Sequence, residues 1–278
     1  LKIANSPEPG QKKGAKQIEA VIEPDLVYPL ISGRNVSKWN VSYEGKYIIV
    51  PHDPKNGKPI AEDVLSVKFA LTYQYLSNYR DMLEDRSLHR LLGKGNPFYA
   101  VYYIGPYTFA PYKVVWKYAA GAITGKAELS CAVVSTVTDR FLGNKTVIPN
   151  VTLRFVSSTS EDEAYYLSGV LNSSVIRSIV ASYAIETGIS TYLLDLIKVP
   201  KYDSNNDLHR RISELAKKAH GKDVKELKDE LTKVENEIDL AVSEALGLTY
   251  QDLMEFKKLL AMLLGKELEV SDTQIKQN

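Results

Sequence analysis

The first part of the chain carries short runs of β-branched and aromatic residues, separated by glycine, proline and asparagine. Runs of this length between turn residues predict β-strands. A longer stretch, residues 62–86, has apolar residues near helical spacing and two acids at its start, so it predicts one helix. The predicted strands are residues 27–31, 47–50, 98–104, 113–118, 129–134, 151–156 and 196–200.

Beyond Ser160 the apolar positions recur mainly at helical spacing. Ser160 precedes three acids, which is typical of a helix start, and Asn172-Ser173 has the residue types of an N-cap joining two helices. Helices are therefore predicted over residues 161–171, 173–187 and most of 206–265. The whole pattern predicts an α+β fold with a mixed, largely antiparallel sheet: a linker over 1–21, a domain over 22–203 and a helical C-terminal region over 204–278.

Hydropathy and cysteine content limit the class of protein. No run of about 18 apolar residues occurs, and no charged segment followed by an apolar one opens the chain, so we expect neither a membrane span nor a secretory signal. The single cysteine, Cys131, cannot form an internal disulfide or a cysteine-based zinc cluster. These features predict a cytoplasmic protein without a membrane partner.

The overall charge of +1 hides an asymmetry. Residues 1–160 contain 20 Lys and Arg against 13 Asp and Glu, whereas residues 161–278 contain 15 against 21. A basic N-terminal part is compatible with a polyanionic partner, although charge also fluctuates between segments without function. The 18 tyrosines against 6 phenylalanines favour a recognition surface, and tyrosine-rich strands are equally compatible with a structural role.

Two short motifs resemble catalytic ones. Residues 96–99, Asn-Pro-Phe-Tyr, are similar to the Asn/Asp-Pro-Pro-Tyr/Phe motif of amino-methyltransferases, whose aromatic residue stacks on a flipped base. The second proline is missing, and no glycine-rich loop for a methyl donor precedes the motif. Pro24-Asp25 with Glu44-Gly45-Lys46 matches a loose metal-dependent nuclease pattern. Glu44-Gly45 is better explained as a hairpin turn between two strands.

The four histidines, at positions 52, 89, 209 and 220, lack metal-ligand spacing, and each is interpreted as a surface residue or a helix-end contact. We therefore expect neither a catalytic residue nor a metal site in this chain. A complete DNA-modifying or DNA-cleaving enzyme remains an alternative. A protein-interaction scaffold is a third possibility, with the apolar stripe of residues 208, 212 and 215 packing on a partner, although such stripes usually pack within their own domain.

Several segments together resemble one family. Residues 26–36, Leu-Val-Tyr-Pro-Leu-Ile-Ser-Gly-Arg-Asn-Val, resemble the opening of the TaqI-like C-terminal specificity domain of adenine-N6 DNA methyltransferases. The sequence Tyr-Leu-Ser-Gly-Val-Leu-Asn-Ser at 166–173 resembles the "Tyr-Leu-x-x-x-Leu-Asn-Ser" helix junction of that family and of type I specificity subunits. Further segments match in the same order: residues 47–51, 75–86, 98–101, 112–116, 238–242 and 246–249.

This resemblance implies a DNA target-recognition domain over residues 22–203, working with an N-terminal methyltransferase catalytic domain on double-stranded DNA. S-adenosylmethionine is expected in that partner domain, and this chain needs no cofactor of its own. Lys and Arg would neutralise phosphates, while Arg, Lys, Asn and Gln would read base edges. The candidate DNA-binding residues are Arg34, Asn35, Lys38, Trp39, Arg86, Arg90, Lys94, Lys113, Lys117 and Lys126; each is alternatively a solvated or structural side chain.

Overall fold

The computed structural model describes residues 1–5, 16–92, 95–118, 128–183, 189, 191, 197–221 and 228–266. The strands are β1 Lys2–Ala4, β2 Glu19–Val21, β3 Val27–Ile31, β4 Val36–Ser37, β5 Asn40–Val41, β6 Tyr47–Ile49, β7 Tyr112–Lys117, β8 Cys131–Val134, β9 Val137–Asp139, β10 Gly143–Lys145, β11 Ile148–Pro149 and β12 Leu153–Ser158. The helices are α1 Glu62–Lys68, α2 Ala70–Ser77, α3 Arg80–Glu84, α4 Ser87–Leu92, α5 Glu161–Asn172, α6 Ser174–Tyr183, α7 Asp207–Ala219, α8 Lys228–Ala245 and α9 Tyr250–Leu264. Two short 3-10 helices cover Gly33–Asn35 and Pro106–Phe109.

The fold is α+β, as the pattern predicts, and the chain forms two compact units that are discontinuous in sequence. The first unit comprises Leu1–Leu30, Gly45–Ala110 and Thr136–Ile148. The second comprises Ile31–Glu44, Pro111–Ser135 and Pro149–Asn278. The structural division differs from the expected boundary at 203/204, because the C-terminal helices share a core with the sheet that precedes them.

The first unit is held together by several small apolar clusters. One cluster contains Leu65, Phe69 and Phe98, and another is formed by Ile22, Val27 and Tyr75. The residues predicted as a linker partly form structure here, because β1 pairs antiparallel with β2. β3 pairs antiparallel with β6.

The helix predicted over residues 62–86 is divided into three. Phe69, at φ −129° and ψ 54°, interrupts it, and α2 begins immediately afterwards. The freed backbone N–H groups of Leu71 and Thr72 donate to the Glu23 carboxylate at 3.0 and 2.8 Å. A second break falls at Tyr79. A carboxylate distant in sequence thus caps a helix that the local pattern predicted to be continuous.

The strand predicted over residues 98–104 is wrong, because this segment forms turns. Its backbone groups bond to side chains instead of a neighbouring strand. The Arg86 guanidinium donates to the carbonyls of Phe98 and Ala100 at 2.8 and 2.9 Å, and the Val101 N–H donates to His52 Nε2 at 2.9 Å. Residues 197–200 of the last predicted strand are not a strand either, and residue 196 lies outside the described residues.

The second unit contains a three-stranded sheet, β12-β7-β8, in which β7 is central and both pairings are antiparallel. Its core joins the sheet to the C-terminal helices, with Trp116, Tyr166, Ile212 and Ile238 all buried. Gly169 lets α5 approach α7 closely, since a Cβ there would lie only 2.7 Å from Ile212 Cγ2. The apolar stripe of the C-terminal region therefore packs within its own unit and gives a scaffold role no separate support.

Two side chains bond to backbone groups on the open edge of β8. Asn172 Oδ1 accepts from the Cys131 N–H and Asn172 Nδ2 donates to the Cys131 carbonyl, each at 2.9 Å. His220 Nε2 accepts from the Val133 N–H at 2.9 Å. Asn172 is consequently a sheet-edge residue rather than an N-cap. The start of α6 is capped by Ser173, whose Oγ accepts from the Ile176 N–H at 3.4 Å, and by Asp239, whose Oδ1 accepts from the Ser174 N–H at 2.7 Å.

The Glu44-Gly45 segment is not a hairpin turn. Gly45 has φ +72°, as many turn glycines do, but the flanking strands belong to different sheets. β5 pairs with β4, and β6 pairs with β3.

Candidate nucleic-acid interface

Three candidate residues of the loop at 33–39 point into the second unit. Asn35 is buried, and its Oδ1 accepts from the Ser32 N–H and hydroxyl. Trp39 is also buried, and its indole N–H donates to Glu235 Oε1 at 2.5 Å. The Lys38 ammonium contacts the same carboxylate oxygen at 2.7 Å. These contacts stabilise the loop, although Asn35 Nδ2 is buried without a hydrogen-bond partner among the described residues.

The candidates in the first unit are also engaged within it. Arg86 donates to the carbonyls of Leu83, Phe98 and Ala100, and burial lowers the pKa of its guanidinium. Arg90 is exposed and lies 3.5 Å from the Asp85 carboxylate. Lys94 and Lys126 lie outside the described residues. Arg86 is therefore a structural residue of this segment, whereas Arg90 stays a surface cation.

The two lysines of β7 have different environments. Alternate residues of a strand share a face, so Lys113 and Lys117 project to the same side. Lys113 is only 1% exposed, and burial lowers its pKa to about 7. Lys117, at the end of the strand, is exposed. The burial of Lys113 leaves it no surface for a phosphate, and Lys117 keeps that possibility.

The structure brings Arg34 and Lys117 together although 82 positions separate them in the sequence. A Cβ on Gly33 would lie 3.7 Å from Lys117 Cγ, so the lysine stem passes beside the backbone that carries Arg34. Arg34 is exposed, as is Tyr118, which follows Lys117. The Arg154 guanidinium lies 3.9 Å from the centre of the Tyr118 ring. Lys117 and Arg154 project from opposite sides of the β7–β12 pair, and both lie near the end of β7. We call Arg34, Lys117, Tyr118 and Arg154, the four residues around this strand end, the basic–aromatic patch.

Thr152 positions the parts of this patch. Its hydroxyl accepts from the Gly33 N–H at 2.8 Å, and its carbonyl accepts from the Tyr118 N–H at 3.0 Å. Asn150 in turn accepts from the Thr152 N–H and hydroxyl. One residue therefore ties the Arg34 loop to the end of β7, so that the side chains of the patch start from a fixed backbone.

The chemistry of the patch suits a polyanion with flat bases. Three cations can neutralise phosphates, and arginine can also hydrogen-bond to guanine edges. An arginine over a tyrosine ring offers a planar surface for stacking. Arg154 is held by the carbonyls of Val151 and Leu153 at 3.0 and 3.1 Å, which fixes its plane.

Tyr118 and Arg154 were not among the candidate residues. Arg154 lies within a predicted strand, and the sequence pattern does not indicate that its side chain faces Tyr118. Only the antiparallel register of β12 on β7, which pairs Leu153 with Lys117 and Arg154 with Trp116, brings them together. Strand alternation combined with a correct pairing is the signal that could have found them.

The motif at 96–99 does not present its aromatic residues to a ligand. Phe98 and Tyr99 are 3% and 2% exposed, and the Tyr99 hydroxyl donates to the Ile60 carbonyl at 2.7 Å. The Arg80 guanidinium lies 3.8 Å from the Phe98 ring centre. Both rings are core residues of the first unit, so neither is placed to stack on a flipped base.

A cleft of about 680 Å³ in the second unit is lined by paired charges. Lys38 contacts Glu235, Lys257 contacts Asp239 at 3.0 Å, and Glu128 contacts both Arg177 and Lys266. Burial would raise the pKa of Glu235, but Lys38, the Trp39 hydrogen bond and Arg177 together outweigh burial and lower that pKa. Each of these cations already has a carboxylate partner, so the network stabilises α6, α8 and α9 in place.

Among the described residues, no group of His, Cys, Asp and Glu side chains is arranged to hold a metal ion. None of the described helices is both long and apolar enough to cross a membrane. In comparisons with known proteins, neither a family model nor a curated protein sequence matches this chain.

Proposed function

We propose that this chain is the sequence-specific DNA-recognition module of an adenine-N6 DNA methyltransferase or a combined restriction–modification enzyme. The basic–aromatic patch carries the proposal, since it gathers three cations and an exposed tyrosine from three separate segments. The resemblance to TaqI-like specificity domains, which is most specific at residues 166–173, supplies the class of enzyme. Methyl transfer itself belongs to a partner catalytic domain that binds S-adenosylmethionine.

The patch would act by positioning the duplex. Arg34 and Lys117 are suited to neighbouring phosphates, and Arg154 with Tyr118 to a base edge or sugar. Extruding an adenine costs a few kcal/mol of unpairing and unstacking. Contacts that hold the rest of the duplex offset this cost without touching the reacting base, which is how a domain without a methyl-transfer site contributes to methylation.

The test is binding to a pool of random duplex DNA, measured by fluorescence anisotropy across a salt series, followed by sequencing of the bound fraction. We expect affinity to fall as salt rises and one short motif to be enriched, since phosphate contacts release counterions and base contacts select sequence. Absence of binding at low salt would refute an autonomous DNA-binding module.

Replacing both Arg34 and Lys117 with alanine should weaken DNA binding about tenfold at low salt. The slope of log affinity against log salt concentration should become shallower by roughly two, about one for each lost phosphate contact. The double variant Arg210→Ala with Lys258→Ala is the matched control. It removes the same charge from the same unit, at helix positions already paired with Asp207 and Glu255. Equal losses of affinity in the two double variants would show a general charge effect and contradict the patch.

A further inference from the structure

Tyr103, in the first unit, combines an unfavourable backbone with an exposed ring. Its φ is +61°, a conformation that bulky side chains rarely adopt, and its side chain is 72% exposed. Strained, exposed residues that the surrounding structure holds in place often mark functional surfaces. Tyr107, the neighbouring exposed tyrosine, donates its hydroxyl to the Tyr103 carbonyl at 2.7 Å and so supports the strained turn.

The loop at 53–58 and the buried His52 hold this turn in place. A Cβ on Gly57 would lie 2.5 Å from Gly105 Cα, so the loop at 53–58 packs directly on the backbone that follows Tyr103. The buried His52 joins this loop to the turn, since its Nδ1 bonds to the Gly57 carbonyl at 2.8 Å and its Nε2 accepts from the Val101 N–H at 2.9 Å. Tyr103 therefore projects from a rigid base.

The supporting loop carries two exposed lysines. Lys55 and Lys58 flank Gly57, and in the part of the chain that the structure describes neither forms an ion pair. The acid of the loop, Asp53, is occupied in shaping it, because it accepts from the Lys55 N–H at 2.9 Å and from the Asn56 side chain at 3.0 Å. Two lysines thus share a rigid surface with the exposed Tyr103 and Tyr107; we call these four residues the tyrosine platform.

We propose that the tyrosine platform binds DNA where a base has left the stack, with Tyr103 stacking on the exposed base face and Lys55 and Lys58 on flanking phosphates. An exposed aromatic ring beside cations is the arrangement that binds unstacked bases irrespective of sequence. The choice of DNA as ligand rests on the proposed function, but the residues are distinct from those of the basic–aromatic patch.

The test compares the full chain on two short duplexes, one fully paired and one with a single unpaired adenine. We expect the wild type to bind the second duplex about tenfold more tightly, as one base–aromatic stack predicts. Tyr103→Asn should abolish this preference and keep the affinity for the paired duplex, because asparagine tolerates positive φ and loses only the ring. Tyr103→Phe should retain the preference.

The outcomes separate the two proposals. Loss of the preference in Tyr103→Asn, with a melting temperature equal to or above that of the wild type, supports the platform. A wild type that binds both duplexes equally, or a Tyr103→Asn variant that keeps the preference, overturns the platform alone. A wild type that binds neither duplex overturns the recognition function as well. The Arg34→Ala, Lys117→Ala variant should weaken binding to both duplexes alike.

Discussion

Replacing Asn172 with alanine should lower the free energy of unfolding of the second unit by about 3 kcal/mol. The amide bonds to both backbone groups of Cys131 in a buried setting. Its removal orphans the Cys131 N–H and leaves a cavity. The Cys131 carbonyl retains the Trp39 N–H as a donor at 3.0 Å, which limits the loss.

Urea unfolding monitored by tryptophan fluorescence measures the stability of the second unit specifically. Trp39 and Trp116 are the only tryptophans, and both belong to that unit. Asn205→Ala, at an exposed position of the same unit, is the control and should change stability by less than about 0.5 kcal/mol. A loss for Asn172→Ala as small as that of the control would show that water replaces the amide and that the edge contact contributes little.

Asn172 and His220 hydrogen-bond to backbone groups that the edge strand β8 would otherwise leave without partners. An edge strand exposes backbone donors and acceptors that can pair with another chain or, if buried, lose free energy. Here α5 supplies Asn172 and the end of α7 supplies His220, so that both backbone groups of Cys131 and the N–H of Val133 are hydrogen-bonded without another strand. The packing of both helices on the sheet is thereby tied to its hydrogen bonding.

The local sequence pattern correctly predicted those elements whose backbone conformation does not depend on contacts with distant residues. β3 has the predicted bounds, and α5 begins at Glu161 after the Ser160 cap, whose Oγ accepts from the Glu163 N–H at 3.3 Å. The described residues of the C-terminal region are mainly helical, as predicted, with helices at Asp207–Ala219, Lys228–Ala245 and Tyr250–Leu264. The continuous apolar run of β3 is buried on both faces, and the helical spacing of apolar residues agrees with the buried face of the helices.

The elements that the pattern missed depend on contacts between distant residues. Glu23 caps a helix that starts at Ala70, and Arg86 and His52 bind backbone groups that a strand would otherwise use. Asn172 resembles a helix cap in sequence. Its actual partner, Cys131, lies 41 positions away, so the local pattern does not indicate the contact. Nothing in the spacing of these residues encodes such pairings.

The candidate interface, too, was predicted from the sequence only in part. Arg34 and Lys117 were among the predicted residues, as cations of the loop at 33–39 and of the strand region at 113–126. The sequence could not distinguish Lys117 from Lys113, which shares its strand face but is buried. Nor could it show that Arg154 meets Tyr118, which depends on strand register.

Acidification from pH 7 to pH 5 should destabilise the second unit by about 2 kcal/mol through His220 alone. Burial lowers the pKa of this imidazole to about 4 from its ordinary value of 6.5. Nε2 accepts from the Val133 N–H while Nδ1 bonds to the Ala216 carbonyl at 2.7 Å, so the ring is held in its neutral form. A depressed histidine pKa gives stability that is complete above pH 6.5 and is lost as pH falls towards 4, because the unfolded chain binds the proton more tightly.

His220→Gln isolates this contribution. A glutamine amide can accept from one backbone group and donate to the other, and it carries no charge at any of these pH values. Urea unfolding at pH 7 and pH 5, again followed by tryptophan fluorescence, should give a smaller loss in the variant than in the wild type, by about 2 kcal/mol. Restricting the comparison to the second unit matters, because burial also lowers the pKa of His52 in the first unit. Equal losses in variant and wild type would mean that the edge of β8 accommodates a charged imidazole, and the link between this helix end and the sheet would then be weaker than its geometry indicates.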